Sequence, residues 1–143
     1  MSKKAFFLGI FILGAASICH AGASTHLGIN DAVPGPRLLF PRTDEVSIPS
    51  RGDVVFKWDP HEIVSFESSI CEIRVYEGNY KLAAALIYKT ECDGRKHSIL
   101  IPSDLFADGE TYTWALRKNY ISKGRTLWSL QTFKVIKEKS VAQ

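Results

Sequence analysis

Large apolar side chains in this chain fall on alternate positions, in short bursts. Val54, Phe56 and Trp58 do so, then Cys71, Ile73 and Val75, then Tyr112, Trp114 and Leu116. A period of two places each set on one face of an extended strand, whereas an amphipathic helix would repeat at 3.6 residues. Pro, Gly, Asp and Asn punctuate the bursts and leave little room for helices. In chain order the strands are RLLF with EVSIP (broken near Pro41 and closed by Pro49), DVVFKWDP, SICEIRVYEGN, ALIYKTEC, KHSILIP, TYTWALRK and LWSLQTFKVI. Proline removes a ladder donor, so the first strand belongs at a sheet edge. The stretch YKLAAALIYK is a helical rival, but no cap precedes it, and Ile87 and Tyr88 favour strands. About seven short strands over about 100 residues predict an all-β, antiparallel, two-sheet sandwich. Tyr112, Trp114 and Leu116 then face inward, and Thr111, Thr113 and Ala115 outward.

The beginning of the chain reads differently. Lys3 and Lys4 form a positive head, AFFLGIFILGAASI from Ala5 to Ile18 is apolar, and the small residues of CHAGAS follow. That order predicts a secretory signal peptide over residues 1–23, with cleavage after Ala21 or Ala23. The apolar run falls short of the roughly 20 residues that span a bilayer, so no transmembrane anchor is expected. Cys19 offers a lipoprotein alternative, against which stands Ile18 where a small residue belongs. Residues 24–36 read as a flexible lead-in, 37–137 as the sandwich and 138–143 as a tail. The expected address is secreted or periplasmic, and the short signal together with the absence of N-x-S/T acceptors points to a bacterial source. The chain has 18 Lys and Arg against 15 Asp and Glu; loss of Lys3 and Lys4 leaves about +1, and no nucleic-acid partner is implied.

Without Cys19, two cysteines remain, Cys71 and Cys92. In an oxidising compartment they are expected to form a disulfide. Paired residues of an antiparallel hairpin have a constant sum, so this pairing centres the turn near residues 81 and 82, close to Gly78-Asn79-Tyr80-Lys81. Strand partners lie about 4.5 to 5.5 Å apart at Cα, within disulfide reach. With 20 residues enclosed, the bridge would contribute about 3 kcal/mol.

Three groups of residues resemble the fibronectin type III family: Trp58 on the second strand, Phe106, Gly109 and Tyr112 at the corner before the sixth, and Trp128 with Ser129 opening the seventh. The resemblance covers roughly residues 37 to 137. It implies a sandwich with a tyrosine corner, in which the Tyr112 hydroxyl bonds an upstream backbone group. The cysteine pair and the connection through Pro102 and Asp104 depart from the pattern, which leaves the placement of the fourth strand open. An immunoglobulin-like fold is the alternative, although it would carry its Trp one strand later.

No catalytic, cofactor or metal signature is found: GxSxG, HExxH, phosphate-binding glycine loops and paired cysteine clusters are absent from the sequence. DPHE, with Asp59, His61 and Glu62, reads as a polar turn, and His97 as a structural side chain. A non-enzymatic binding module is therefore expected, with a protein or an anionic glycan of the envelope as partner. Two surfaces are candidates. RKNYISKGR holds Arg117, Lys118, Tyr120, Lys123 and Arg125 with no acidic residue, a hairpin tip suited to anions; the resemblance implies that such a connection can be a contact loop. The apolar stretch KLAAALIYK, with Leu82, Leu86 and Tyr88, could instead offer an edge strand to a second copy or to a larger assembly.

Overall fold

In the computed structural model, the described residues are 33–59, 68–79, 85–121 and 124–139. The expected signal peptide, His61, Glu62, Leu82 and Lys123 lie outside them. Among the described residues nine strands form: β1 (Leu38–Phe40), β2 (Glu45–Ile48), β3 (Asp53–Trp58), β4 (Ser69–Glu77), β5 (Leu86–Asp93), β6 (Ser98–Pro102), β7 (Thr111–Tyr120), β8 (Gly124–Arg125) and β9 (Ser129–Lys137). One sheet has the order β1-β3-β6; the other has the order β2-β9-β7-β4-β5, with β8 added alongside β7. All pairings are antiparallel except β2 with β9.

The first expected strand is thus two. At Pro41, which offers no ladder donor, the chain leaves the small sheet and joins the large one, and both pieces lie at sheet edges. The placement left open for the fourth strand is resolved as well: β5 pairs with β4 in the larger sheet. Residues 33–36, expected to be part of a flexible lead-in, are docked. The Leu127 N–H donates to the Val33 carbonyl at 2.8 Å, and Gly35 lies so close to Leu127 and Ser129 that a Cβ would collide with both.

Between the sheets lie the alternating sets read from the sequence. Trp58, Phe56, Ile73, Val75, Tyr112, Trp114, Leu116, Phe133 and Val135 are all buried. Phe56 meets Trp114 edge-on at 5.1 Å, and Phe106 meets Tyr112 in the same way at 5.1 Å, the geometry that aromatic quadrupoles favour. The expected tyrosine corner is present: the Tyr112 hydroxyl accepts the Ala107 N–H at 2.8 Å. Gly109, at φ 79°, makes the preceding turn in a region that side-chain-bearing residues avoid. Trp114 reaches across the core, its Nε1 donating to the Pro41 carbonyl at 2.9 Å, and so holds the point where the chain changes sheets.

Thr113 and Ala115 face outward as expected, yet both are buried. They sit on a central strand, where larger neighbours shade them. Ala115 is the register partner of Arg74 on one side and Leu130 on the other. Thr113 donates to the Gly78 carbonyl at 2.8 Å and meets the Thr132 hydroxyl at 2.9 Å.

Candidate functional site

The outward positions of β4 alternate with its core residues and include Ile70, Glu72 and Arg74. Register sets Glu72 opposite Arg117 of β7. The Glu72 side chain is only 4% exposed, a costly place for a carboxylate unless it is paired. It is paired on both oxygens. Arg74 Nε donates to Oε1 at 2.8 Å, Arg117 Nε donates to Oε2 at 2.8 Å, and Lys89 Nζ stands 3.8 Å from Oε1. Burial pushes the Glu72 carboxyl up, but the hydrogen bonds from Arg117 and Arg74 outweigh it and hold the group below the ordinary carboxylate range. Trp128 completes the cluster: the Arg117 guanidinium lies 4.4 Å from the ring centroid and that of Arg74 4.9 Å. The cluster joins one carboxylate to three cations, and exposed Glu91, the register partner of Glu72, adds a second carboxylate to the same face.

The five residues expected at one hairpin tip are distributed otherwise. β7 continues as a strand to Tyr120, so alternate side chains of the basic stretch go to opposite faces. Arg117 joins the Glu72 cluster, while Lys118 and Tyr120 turn inward and are 1% and 8% exposed. Arg125 is exposed on β8, and Lys123 lies outside the described residues. An unbroken cationic tip was the natural reading of RKNYISKGR, because charge alone does not show where a strand ends.

Arg125 does belong to a second group. Along one row of the large sheet stand Arg125, Asn119, Ile70 and Asp93, each the register partner of the next. At about 4.8 Å per strand the row is roughly 14 Å long. At its far end the turn after β5 carries exposed Arg95, Lys96 and His97 around a shallow open depression of about 490 Å³. Asp93 shapes that turn by accepting the Arg95 side chain at 3.0 Å and the Arg95 N–H at 2.8 Å, contacts that bring its carboxyl down to about 2. Ile70 is 48% exposed in the middle of the row, and Ile121 is 84% exposed at the end of β7. Exposed cations and exposed apolar groups therefore share one end of the sandwich. His97 lies in the same turn, and its carbonyl accepts the Trp58 N–H at 3.0 Å.

Cys71 and Cys92 are register partners, as expected of strands joined in one antiparallel hairpin. The disulfide expected between them is not formed in this structure, where both are free thiols. The Gly94 N–H donates to the Ser69 carbonyl at 2.8 Å, which makes residues 69 and 94, and two positions on Cys71 and Cys92, hydrogen-bonded pairs of the ladder. Such pairs stand at the wide spacing, about 5.5 Å at Cα. The Cys71 thiol is held protonated by its hydrogen bond to Cys92 and by burial, and the same hydrogen bond lowers the pKa of Cys92. Among the described residues β5 forms the edge of the large sheet. On it Leu86 is exposed and Tyr88 is half-buried against the core.

Sequence reading missed Glu72, Arg74 and Trp128. A signal existed in β4, where two opposite charges occupy successive outward positions. Their partners on β7 and before β9 needed the register.

No family model matches the chain, and no curated protein matches it. Among solved structures the chain is similar to the fn3 domain of human collagen alpha-1(XX) chain, at 16% identity over 78% of this chain and 88% of that one, with a TM-score of 0.44. It is also similar to the third fibronectin III domain of human KIAA0343 protein, at 16% identity over 70% of this chain and 90% of that one, with a TM-score of 0.41.

Proposed function

We propose that this chain is a non-enzymatic binding module, exported to the cell envelope, that takes an anionic glycan or an acidic protein face on one end of its large sheet. The observation that carries this reading is the row from Arg125 to the Arg95 turn, where exposed Arg125 stands at one end and exposed Lys96 and Arg95, the latter paired with Asp93, at the other, with exposed Ile70 between them on a rigid strand framework. Behind the row, Glu72 neutralises only part of the charge of Arg74, Arg117 and Lys89. A cationic surface of this kind steers anions and loses its grip as salt rises. Export is supported by the positive head, apolar run and small residues at the start of the sequence.

Charge reversal tests it. The triple variant Arg95→Glu, Lys96→Glu, Arg125→Glu is expected to bind immobilised heparin, a sulfated polysaccharide, about tenfold more weakly at low salt, with only a small loss of thermal stability, because all three groups are exposed and the ion pair that Arg95 gives up with Asp93 is a surface one. Retention equal to that of the parent chain would end the proposal.

In an oxidising compartment Cys71 and Cys92 would close a cross-strand bridge: two thiols lose two protons and two electrons to a small-molecule disulfide, which leaves as two thiols. The intact mass of chain recovered from such a compartment is expected to be lower by two hydrogens than after reduction. Equal masses would remove the bridge.

A second reading has its own observation. β5 is an eight-residue strand paired on one side by β4 and, among the described residues, forming the edge of the large sheet, so the chain could serve as a structural subunit that docks another strand there.

A further inference from the structure

We infer that the partner at the β5 edge is a second copy of this chain, paired antiparallel about a two-fold axis at Thr90. The inference rests on the edge-strand reading and adds to it the identity, direction and register of the partner.

The direction in which backbone groups point comes first. The Gly94 N–H reaches the Ser69 carbonyl, and the Gly78 N–H reaches the Thr111 carbonyl. With the register of β4 against β5 and β7, these bonds show that the odd-numbered residues of β4 direct their N–H and C=O groups toward β5. On β5 it follows that Tyr88, Thr90 and Cys92 bond β4, and that Lys89 and Glu91 direct theirs to the open edge. The register shift at Val75/Tyr76 marks a bulge near Ile87. It confines the regular part of this edge to residues 88–93.

Charge then selects one register. An added antiparallel strand must set outward-bonding residues opposite outward-bonding residues, so for two copies of β5 only axes passing through a residue are allowed. An axis through Lys89 would place Lys89 against itself, and an axis through Glu91 would place Glu91 against itself, each a like-charge contact at the centre of the seam. An axis through Thr90 sets Lys89 opposite the partner's Glu91 and Glu91 opposite the partner's Lys89. Both pairs are of opposite charge, and the same four residues exchange four backbone hydrogen bonds. Glu91 is exposed, and Lys89, whose ammonium stands 3.8 Å from Glu72 Oε1, is still half-exposed and keeps a side open to the seam. The two large sheets then run on as one across an isologous interface.

Sedimentation equilibrium of the mature chain over a concentration series reads the result. The parent chain is expected to dimerise as its concentration rises. Lys89→Glu places two carboxylates on the seam and Glu91→Lys places two ammonium groups there, so each variant alone is expected to self-associate at least about tenfold more weakly. An equimolar mixture of the two variants is expected to recover dimers, because each chain then faces its charge complement. The doubly exchanged chain, Lys89→Glu with Glu91→Lys, is expected to dimerise like the parent, which separates a seam effect from a folding defect. A parent chain that stays monomeric, or a mixture no more associated than its components, would overturn self-pairing. In that event, envelope protein held by the parent and lost in both single variants would leave the edge strand to a foreign partner, and equal capture by all three would end the edge-strand reading too.

Discussion

Trp114→Ala is expected to destabilise the chain by about 4 kcal/mol, the largest effect of any single change considered. The indole is fully buried between the sheets, edge-on to Phe56, and truncating a core tryptophan to alanine costs about 3 to 5 kcal/mol in lost transfer energy and cavity formation. The lost hydrogen bond from Nε1 to Pro41 adds to this, by about 1 kcal/mol. Because domains of this size have about 5 to 15 kcal/mol in hand, the variant should lie near the edge of folding, its melting temperature lower by roughly 15 to 30 °C. Urea unfolding followed by near-ultraviolet dichroism checks it. Trp114→Phe, which keeps a ring and loses the donor, should fall between the two. A cost under about 1 kcal/mol for the alanine variant would show that the ring is not wedged in the core.

The second large effect belongs to Glu72. Glu72→Gln removes the charge that Arg74 and Arg117 share and leaves two guanidiniums facing each other across a site from which water is largely excluded. Breaking a buried pair from one side costs about 3 to 5 kcal/mol; both arginines keep some contact with solvent, so about 3 kcal/mol is expected here. The dependence on pH follows from the direction of the shift. The folded Glu72 carboxyl sits below its unfolded value of about 4.3. Its contribution is therefore fully present above that value and is lost as the pH falls from there through the lower, folded value. Parent and Glu72→Gln should differ most at neutral pH, and the gap should narrow as the pH falls from about 4.3 through the lower, folded value. A constant gap down the acid limb would refute the assignment of the stability to the ionised carboxylate.

Placed together, these two sites show how one sheet serves two purposes. On β4 the inward residues Cys71, Ile73 and Val75 build the core, while the outward residues Glu72 and Arg74 build the charged face. A side-chain change on one face leaves the pattern of the other intact. The binding variants proposed at Arg95, Lys96 and Arg125 can therefore be made without disturbing the aromatic interior, and failure to bind can be read separately from failure to fold.

Much of the architecture was legible in the residues themselves. The alternation in VVFKW, ICEIRVY and TYTWAL defines the buried faces, and the resemblance carried by Phe106, Gly109 and Tyr112 implied the corner that the Tyr112 hydroxyl closes on Ala107. The two cysteines left after the expected signal peptide, read as partners across a hairpin, do stand opposite each other. All of these are local relations, set by the two-residue repeat of an extended chain and by the φ that a turn requires. The charged cluster depends on something else. Glu72 and Arg117 are 45 positions apart in the chain, and their hydrogen bonds exist only because β4 and β7 pair in one register out of several that the alternation would permit. Lys118 and Tyr120 were buried for a similar reason: the length of β7, decided by its ladder with β4 and β8, carried them past the expected strand end to the inner face. The sequence by itself determined which alternating apolar faces avoid water and where the chain must turn, since hydrophobicity and backbone sterics act residue by residue. Only the tertiary structure decided which charges meet, because the hydrogen bonds that join Glu72 to its arginines need contact distance, and the exclusion of water that strengthens the ion pairs exists only once the strands have found their partners.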